Sequence, residues 1–561
     1  MVQTYIGRHA YWIFATVFFS LVVSELFAQE DDAIRCWVFF RDKHQSTFDP
    51  YAYFDDKAIL RRQREGLSLA DSSDFPVSEK YIQAVMPFLD SYEGESRWLN
   101  AAVCYMNTHA QQQVAKLPFV VGVRPMERLP LETCIHSTLG FDQSLLRAQT
   151  AILGYPKFAE KGINGKGVNI AIFDAGFKGV PTHPQLEHLV DNKQIKATYN
   201  IVLDRNFVFD YHTHGTMVLS CMAGIYNNIP MGCAPGANYL LVRTEQTSSE
   251  SKIEEDHWIR SLEWADQHGA DIVNSSLGYN TQLYKRKDMS GSAHLMAKAA
   301  NTAFSKGILV VNSAGNEGLD WWEIIAAPGD ADSILTVGGI EPANGLHHPM
   351  SSYGPNTAGQ LKPNVSAFFR AVVCNGRGII EAEGTSFSAP LIAGFAACVM
   401  QLHPEWTVRQ VYHEIQKSAH LYPYYDYAHG YGIPQAEYFL PTNDSSIEVD
   451  SMTVSTSAAN HKAFEFVYNQ NNDTYLIQLC DEAPMMIEFL TEPIDTISNY
   501  VYYNLCDEND KILTYHVIKP DDFKGAVLEK GNCDTCLIRA HYNGVTLETN
   551  RKKIREASKK Q

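Results

Sequence analysis

The hydrophobic and polar positions change pattern along the chain, and the region from about residue 141 to 440 alternates two kinds of segment. Short, almost wholly apolar runs are typical of strands buried on both faces of a parallel sheet. These runs are VNIAIF, YLLV, DIVNSS, GILVVNS and ILTVGG. Between them lie helical segments such as DHWIRSLEWADQHG and AHLMAKAANTAFSKG, which end in the glycine that a helix C-terminus favours. Strands alternating with crossover helices predict an α/β domain with a doubly wound, mostly parallel sheet.

The regions on either side follow other patterns. Residues 29–135 mix β-rich runs (IRCWVFF, WLNAAVCYM, FVVGV) with the helical stretch SEKYIQAVMPFL, which predicts a small α+β unit. The polar segment RPMERLPLETCIHSTLG, which contains proline, separates this unit from the central domain at 141–440. Residues 445–561 show short alternating runs with DENDK and GNCD turns between them, and this pattern predicts a β-sandwich.

The first 28 residues have the pattern of a secretory signal peptide. Arg8 and His9 precede an uncharged run, and Leu26 and Ala28 stand at the positions that a signal peptidase reads. An uncleaved anchor is the alternative, but Glu25 interrupts the run, which is shorter than the ~20 apolar residues of a spanning helix. We predict removal of residues 1–28, no stable membrane span afterwards, and a protein that is secreted or held at the cell surface.

The net charge argues against some classes of partner, and the cysteine content bears on disulfide bonds and zinc sites. With 64 acidic and 46 basic residues, the formal net charge is −18, which argues against nucleic acid or an anionic membrane as a partner. The basic cluster RKKIREASKKQ at residues 551–561 is better explained as a solvated tail than as a binding patch. Eleven cysteines in an exported chain predict some disulfides with one cysteine left over. For Cys533 and Cys536 we expect a local disulfide, or two separate ones, because no second pair completes a zinc site.

Four polar residues of the central region stand at strand or helix ends, where a parallel sheet places its ligands. Asp174 follows the strand VNIAIF, His214 precedes the apolar run MVLSCMAGI, and Asn316 follows GILVVNS. Ser386 precedes the apolar helix LIAGFAACVMQL. Taken singly, each has a structural explanation: a loop cap for Asp174, a satisfied imidazole for His214, a turn for Asn316 and a helix cap for Ser386.

The capping explanation for Ser386 is weakened by a second serine. Ser388 and Pro390 suit a helix start, so we expect the helix to begin at Ser388 or in the turn around it. Ser386 then lies just before the helix, with its hydroxyl free to attack a carbonyl and its backbone N–H facing an oxyanion. His212 lacks the Gly-Thr that follows His214, and we interpret it as a bystander.

These segments resemble those of subtilisin-like serine peptidases. FDAGF, HGTMV, SSLG, SAGNEG and GTSFSAP occur in the family's order, and Asp, His, Ser is the chain order of a subtilisin triad. The resemblance implies that Ser386 is the nucleophile, that His214 is the general base and that Asp174 orients the imidazole. It also places Asn316 in the oxyanion hole.

The same resemblance implies a substrate and a mode of control. Ser276, Leu277 and Gly278 would pair with the backbone of an extended polypeptide substrate and line the pocket for the residue before the cut. The chain would be an inhibited precursor of a serine endopeptidase, with residues 29–135 as its own propeptide and intramolecular inhibitor. An ordinary accessory domain is the alternative for that region. No cofactor is expected, since no D-x-D-x-D-G calcium loop occurs; a calcium site of scattered carbonyls leaves no mark in a sequence.

The C-terminal region is similar in layout to the sorting domain of proteins exported by type IX secretion, which would add the secretion machinery as a partner. A plain stabilising β-sandwich is the alternative. Met217 stands where the family usually has a second histidine, at a position that the resemblance makes structural. Glu254, Glu255 and Asp256 are interpreted as a solvated, acidic first helical turn in preference to a site for basic groups of a substrate.

One competing function belongs to a different class. An inactive peptidase-fold scaffold could use its C-terminal domain to bind a partner. Such proteins usually lose catalytic residues, whereas all four are present here.

Overall fold

The structure is a computed structural model that describes residues 33–126, 128–130, 137–246, 249–280, 283–376, 378–441, 464–469, 474–479, 500–523, 526–528, 536–542 and 544–550. The predicted signal peptide, Cys533 and the basic C-terminal tail lie outside the described residues. The chain divides into two compact units. One comprises residues 1–48 with 72–127, and the other comprises residues 49–71 with 128–561.

The first unit contains a four-stranded antiparallel sheet. The helices and strands up to residue 126 are β1 (Ile34–Phe40), α1 (Pro50–Tyr53), α2 (Asp56–Arg64), α3 (Glu79–Val85), β2 (Ser91–Ser96), β3 (Ala101–Met106), α4 (Thr108–Val114) and β4 (Val120–Pro125). The strand order is β2-β3-β1-β4, and Val38, Ile82, Val85 and Ala102 lie in its apolar core. The α+β fold that the sequence pattern predicts is present, but α1 and α2 belong to the second unit.

The second unit is built on a parallel sheet. Its elements up to residue 417 are β5 (Arg128–Pro130), β6 (Ser137–Leu139), α5 (Gln143–Ala151), α6 (Tyr155–Glu160), β7 (Asn169–Asp174), α7 (Glu187–Asp191), β8 (Ile195–Asn200), α8 (His214–Ala223), β9 (Ile225–Tyr226), β10 (Ile229–Pro230), β11 (Asn238–Arg243), β12 (Ser249–Ser251), α9 (Lys252–Gln267), β13 (Ile272–Ser275), α10 (Leu295–Ser305), β14 (Leu309–Ser313), β15 (Leu335–Ile340), β16 (Val365–Phe368), β17 (Arg370–Asn375), β18 (Gly378–Glu383), α11 (Thr385–Leu402) and α12 (Val408–Lys417).

The central sheet has seven strands in the order β16-β15-β14-β13-β7-β11-β8, and all its pairings are parallel. The five apolar runs of the sequence all become strands of this sheet, which confirms the predicted fold class. Because parallel strands share one carboxyl edge, β7, β13 and β14 deliver the residues that follow them to the same side of the domain.

Helix α11 is the core helix of this unit. It contacts β13, β14, β15 and β16 as well as α8. Within the described part of the chain it is the one helix with the length and hydropathy of a membrane span, and 83% of that span is buried inside the protein. Its apolar character is therefore explained by packing against the sheet.

The start of α11 differs from the prediction. The helix begins at Thr385, directly after Gly384 with φ 142°, so Ser386 is its second residue and Pro390 lies inside it. Ser388 does not cap the helix, because its Oγ donates to the carbonyl oxygen of Phe368 at 2.9 Å. The expected helix start at Ser388 was wrong. The backbone N–H of Ser386 is nevertheless among those that a first turn leaves without a helical partner.

The described C-terminal strands form two antiparallel sheets. They are β19 (Phe464–Asn469), β20 (Thr474–Leu479), β21 (Val501–Cys506), β22 (Ile512–Ile518), β23 (Ala526–Leu528), β24 (Leu537–Tyr542) and β25 (Val545–Asn550). Their orders are β19-β20-β23 and β22-β21-β24-β25, consistent with the predicted β-sandwich. Cys506 and Ile512 pack with Tyr425 and Tyr427, and Asn504 Nδ2 donates to the Tyr425 carbonyl at 2.5 Å.

The expected disulfides are absent from seven described cysteines. These are buried thiols: Cys36, Cys104, Cys221, Cys233, Cys374, Cys398 and Cys506. Burial raises the pKa of the Cys36 thiol to about 11 and that of Cys506 to about 12, which disfavours the reactive thiolate. In this part of the chain, cysteine serves as a small apolar side chain and not as a cross-link.

Candidate active site

Asp174 and His214 meet at the carboxyl edge of the central sheet. Asp174 is the last residue of β7 and is fully buried, while His214 is the first residue of α8 and is partly exposed. The Nδ1 atom of His214 lies 3.0 Å from Asp174 Oδ1 and 2.9 Å from Oδ2. A carboxylate on Nδ1 keeps a proton on that nitrogen and leaves Nε2 as the basic atom.

The carboxylate also changes the acidity of the imidazole. Burial alone would lower the pKa of His214, but the charge of Asp174 and its hydrogen bond outweigh this and raise the pKa above its usual 6.5. The neighbouring His212 behaves differently: burial lowers its pKa, which favours the neutral imidazole. Its Nδ1 accepts the backbone N–H of His214 at 3.1 Å, so this residue supports the start of α8.

Ser386 lies beside the segment that follows β13. Its Oγ donates to the carbonyl oxygen of Ser276 at 3.2 Å, and Ser276 Oγ donates to the Ser386 carbonyl at 2.9 Å. The hydroxyl makes no hydrogen bond to His214 in this structure. The ring of Phe387, the next residue, has its centroid 5.8 Å from that of His214, so the serine and the histidine lie on neighbouring helix starts.

The three residues predicted to bind substrate continue from this contact. Ser276 touches the serine directly, and the buried Leu277 accepts a hydrogen bond from Asn312 Nδ2 at 3.0 Å through its carbonyl. A Cβ added to Gly278 would lie 3.3 Å from the Cβ of Ala326. Ser276 therefore holds this segment beside Ser386, and a side chain at position 278 would crowd Ala326.

Asn316 is exposed and is held by the first residue of α11. Its Oδ1 accepts the backbone N–H of Thr385 at 2.9 Å, and the hydroxyl of Thr385 lies 2.9 Å from the same oxygen. With its oxygen engaged, Asn316 has its amide nitrogen left for an acceptor in the cleft. The role of Thr385 was missed in the sequence, although its place directly before Ser386 in GTSFSAP was a usable signal.

We expect Asn316→Ala to lower kcat by about 10²–10³-fold with little change in KM, because the amide donor would act on charge that develops only in the transition state. Thr385→Val should lower kcat by about tenfold, since it removes the hydroxyl but keeps the backbone N–H. Steady-state kinetics on a peptide substrate measure both. A rise in KM at constant kcat in Asn316→Ala would contradict an oxyanion role.

The acidic cluster after β11 was interpreted wrongly. Glu254, Glu255 and Asp256 are buried and not solvated. Tyr284 Oη donates to Glu255 at 3.0 Å, and Arg260 forms an ion pair with Asp256 at 2.9 Å. Tyr284 reaches the cluster from outside the helix, whereas Arg260 lies one turn along the same helix, and both contacts make the cluster part of the fold. Met217 is also buried, in the apolar core, as its structural assignment requires.

Two regions of the chain match the sequence models of known protein families. Residues 165–432 match the sequence model of the Subtilase family, and residues 35–137 match that of the Peptidase S8 propeptide domain of Bacteroidota. M-protease of Shouchella clausii (strain KSM-K16) is 29% identical over 265 residues, which are 47% of this chain and 62% of that protein. This chain thus covers less than two thirds of M-protease.

Two further relatives are covered over more of their length. Subtilisin NAT of Bacillus subtilis subsp. natto is 27% identical over 326 residues, 58% of this chain and 76% of that protein. Subtilisin Savinase of Lederbergia lenta is 29% identical over 265 residues, 47% of this chain and 87% of that protein.

Proposed function

Because residues 165–432 belong to the subtilase family and residues 35–137 to a propeptide domain of the same peptidase class, we propose that this protein is the precursor of an exported serine endopeptidase. The observation that carries the proposal is the contact of both Asp174 oxygens with Nδ1 of His214, at 2.9 and 3.0 Å. That contact prepares a neutral imidazole to act as a base through Nε2.

Acyl transfer would begin when Ser386 leaves its hydrogen bond to the Ser276 carbonyl and turns towards His214. His214 Nε2 takes the hydroxyl proton as Ser386 Oγ attacks the scissile carbonyl carbon, and Asp174 stabilises the resulting imidazolium. The oxyanion would receive hydrogen bonds from Asn316 Nδ2 and the Ser386 backbone N–H. His214 then gives the proton to the amine as the C–N bond breaks, which leaves an acyl ester on Ser386 Oγ. A water molecule, deprotonated by His214, attacks this ester, and Ser386 Oγ takes the proton back as the acid is released.

The substrate class follows from the backbone beside the nucleophile. An extended polypeptide would pair with Ser276, Leu277 and Gly278 through its main chain, which fixes its direction and reads little of its sequence. The propeptide would act as an inhibitor of this site within the precursor. Export would follow cleavage of residues 1–28. The type IX sorting role of residues 445–561 and the absence of a cofactor remain predictions.

A serine-reactive phosphonate probe tests the proposal on the purified, processed protein. We expect labelling of one residue, Ser386, because only the paired imidazole makes a serine hydroxyl strongly nucleophilic. His214→Ala should abolish labelling. Ser388→Ala should retain it, since that hydroxyl is committed to the Phe368 carbonyl.

The length of the precursor after folding gives a second test of the proposed activity. In a host without other proteases, the unmodified chain should shorten on folding and Ser386→Ala should stay full length. A folded chain that neither shortens nor is labelled would favour the inactive scaffold. Equal shortening of both chains would refute self-processing.

A further inference from the structure

One segment of the propeptide region is packed within the peptidase unit. Residues 49–71 lie inside the propeptide match at 35–137, yet they group with residues 128–561. Helix α2 lies across the C-terminal ends of α9 and α10. A Cβ added to Gly269, just after α9, would lie 2.8 Å from the Ala58 backbone nitrogen, and one added to Gly307, just after α10, would meet the Glu65 side chain.

Arg61 of α2 joins the two helix ends. Its Nε donates to the Lys306 carbonyl at 3.1 Å, and its Nη1 donates to the Ala270 carbonyl. Its Nη2 donates to the backbone carbonyl of Asp266 at 3.3 Å and forms an ion pair with Asp266 Oδ1. One guanidinium thus satisfies carbonyl groups at the ends of both helices.

Arg62 completes the cluster from the next position. Its Nη2 donates to the other oxygen of Asp266, Oδ2, at 2.7 Å, and its guanidinium lies 4.2 Å from the centre of the Phe54 ring. Arg61 and Arg62 are each 1% exposed, and Asp266 is 2% exposed. Around them Lys57 and Arg64 contact Asp271 at 3.2 and 3.3 Å.

Two physical effects make these helix ends a receptor for guanidinium. The last carbonyls of a helix carry partial negative charge, and here two helices present them with a carboxylate between them. The planar fork of arginine supplies five donors that reach several acceptors at once, which an ammonium group does not. A buried charge of this kind is favourable only while its partner is present.

We propose that the ends of α9 and α10 are a guanidinium-binding site that holds the propeptide after the chain is cut between the two regions. Arg61 and Arg62 must then leave Asp266 before the mature enzyme is free of the propeptide. The inference rests on the proposed function only in naming that enzyme; the binding site stands on the contacts alone.

The test uses the full chain with Ser386→Ala and a recognition sequence for an external site-specific endopeptidase inserted after Glu132. After the cut, the chain is held through a C-terminal tag, and loss of the N-terminal fragment is followed with time. We expect the fragment to stay bound to the parent chain. Release should be at least 100-fold faster in Arg61→Gln/Arg62→Gln, because Asp266 loses both partners.

Four further variants distinguish an effect of the site from an effect on folding or on charge alone. Asp266→Asn changes the receptor side and should also speed release at least 100-fold, so it serves if the arginine variant does not accumulate. Adding Asp266→Asn to the arginine pair should bring no further increase. Arg61→Lys keeps the charge but not the fork and should speed release at least tenfold. Arg41→Gln removes an exposed arginine elsewhere in the propeptide and should match the parent.

Rapid loss of the fragment from the parent chain would overturn the proposal. So would release rates within twofold of the parent in both Arg61→Gln/Arg62→Gln and Asp266→Asn. Since Ser386 is replaced throughout, these rates are independent of the chain's own chemistry. Failure of the unmodified chain to process itself would count against the proposed function and leave this measurement intact.

Discussion

Ser386→Ala is expected to lower kcat/KM for a peptide substrate by about 10⁶-fold, the size of loss established for the nucleophile of a subtilisin. The hydroxyl is the one atom of the site that would form a bond to the substrate, so no neighbouring group can replace it. The residual rate should still exceed the rate of uncatalysed peptide hydrolysis in water, because Asn316 and the backbone N–H groups would continue to stabilise the oxyanion.

The comparison needs a variant that removes a serine hydroxyl from the same helix turn. Ser388→Ala does so and should leave kcat/KM within a fewfold of the parent, since its hydroxyl contacts Phe368 and not the cleft. Processing is supplied by an external endopeptidase so that both variants are measured as mature chains. A loss below about 10²-fold in Ser386→Ala would mean that another residue is the nucleophile.

Asp174→Asn is expected to lower kcat by about 10⁴-fold and to move the pH profile. In the parent, activity should rise with pH as His214 loses its proton, with a midpoint above 6.5 because Asp174 raises that pKa. Asparagine removes the negative charge, so the midpoint should fall, and the amide favours the wrong imidazole tautomer, so the plateau should fall as well.

The pH dependence of kcat/KM between pH 5 and 9 measures both effects. Asp210→Asn, which removes a half-buried carboxylate from the loop before α8, is the matched control and should keep the parent midpoint and plateau. If Asp174→Asn retained the parent midpoint, the raised pKa of His214 would have another source. A plateau close to that of the parent would remove Asp174 from the mechanism.

Most of the central domain could be predicted because its strands are buried on both faces. An apolar run such as VNIAIF allows few other structures, and the polar residue that ends it is then confined to the sheet edge. Asp174 ends β7, Ser276 directly follows β13, and Asn316 lies shortly after β14. These are three adjacent strands of the sheet, so the convergence of the three residues follows from the strand order.

Local patterns failed where distant partners decide the outcome. An acidic first turn normally faces water, but Glu255 is buried because Tyr284, 29 residues away, donates to it. Ser388 has the chemistry of a cap, yet a strand carbonyl takes its hydroxyl. The contact of Arg61 with Asp266 joins residues 205 positions apart in the sequence. Helix and strand periodicities relate residues only a few positions apart, so they do not predict a contact at this separation.

The position of Ser386 on α11 also has a bearing on how the protein can lose activity. The proposed nucleophile is carried by the first turn of the helix that contacts four strands of the central sheet, and not by a surface loop. Fraying of peripheral segments leaves such a residue in place, whereas displacing it requires opening of the most protected part of the domain. Catalytic competence is thus tied to the global cooperative transition: heat or denaturant should leave molecules either fully active or fully unfolded.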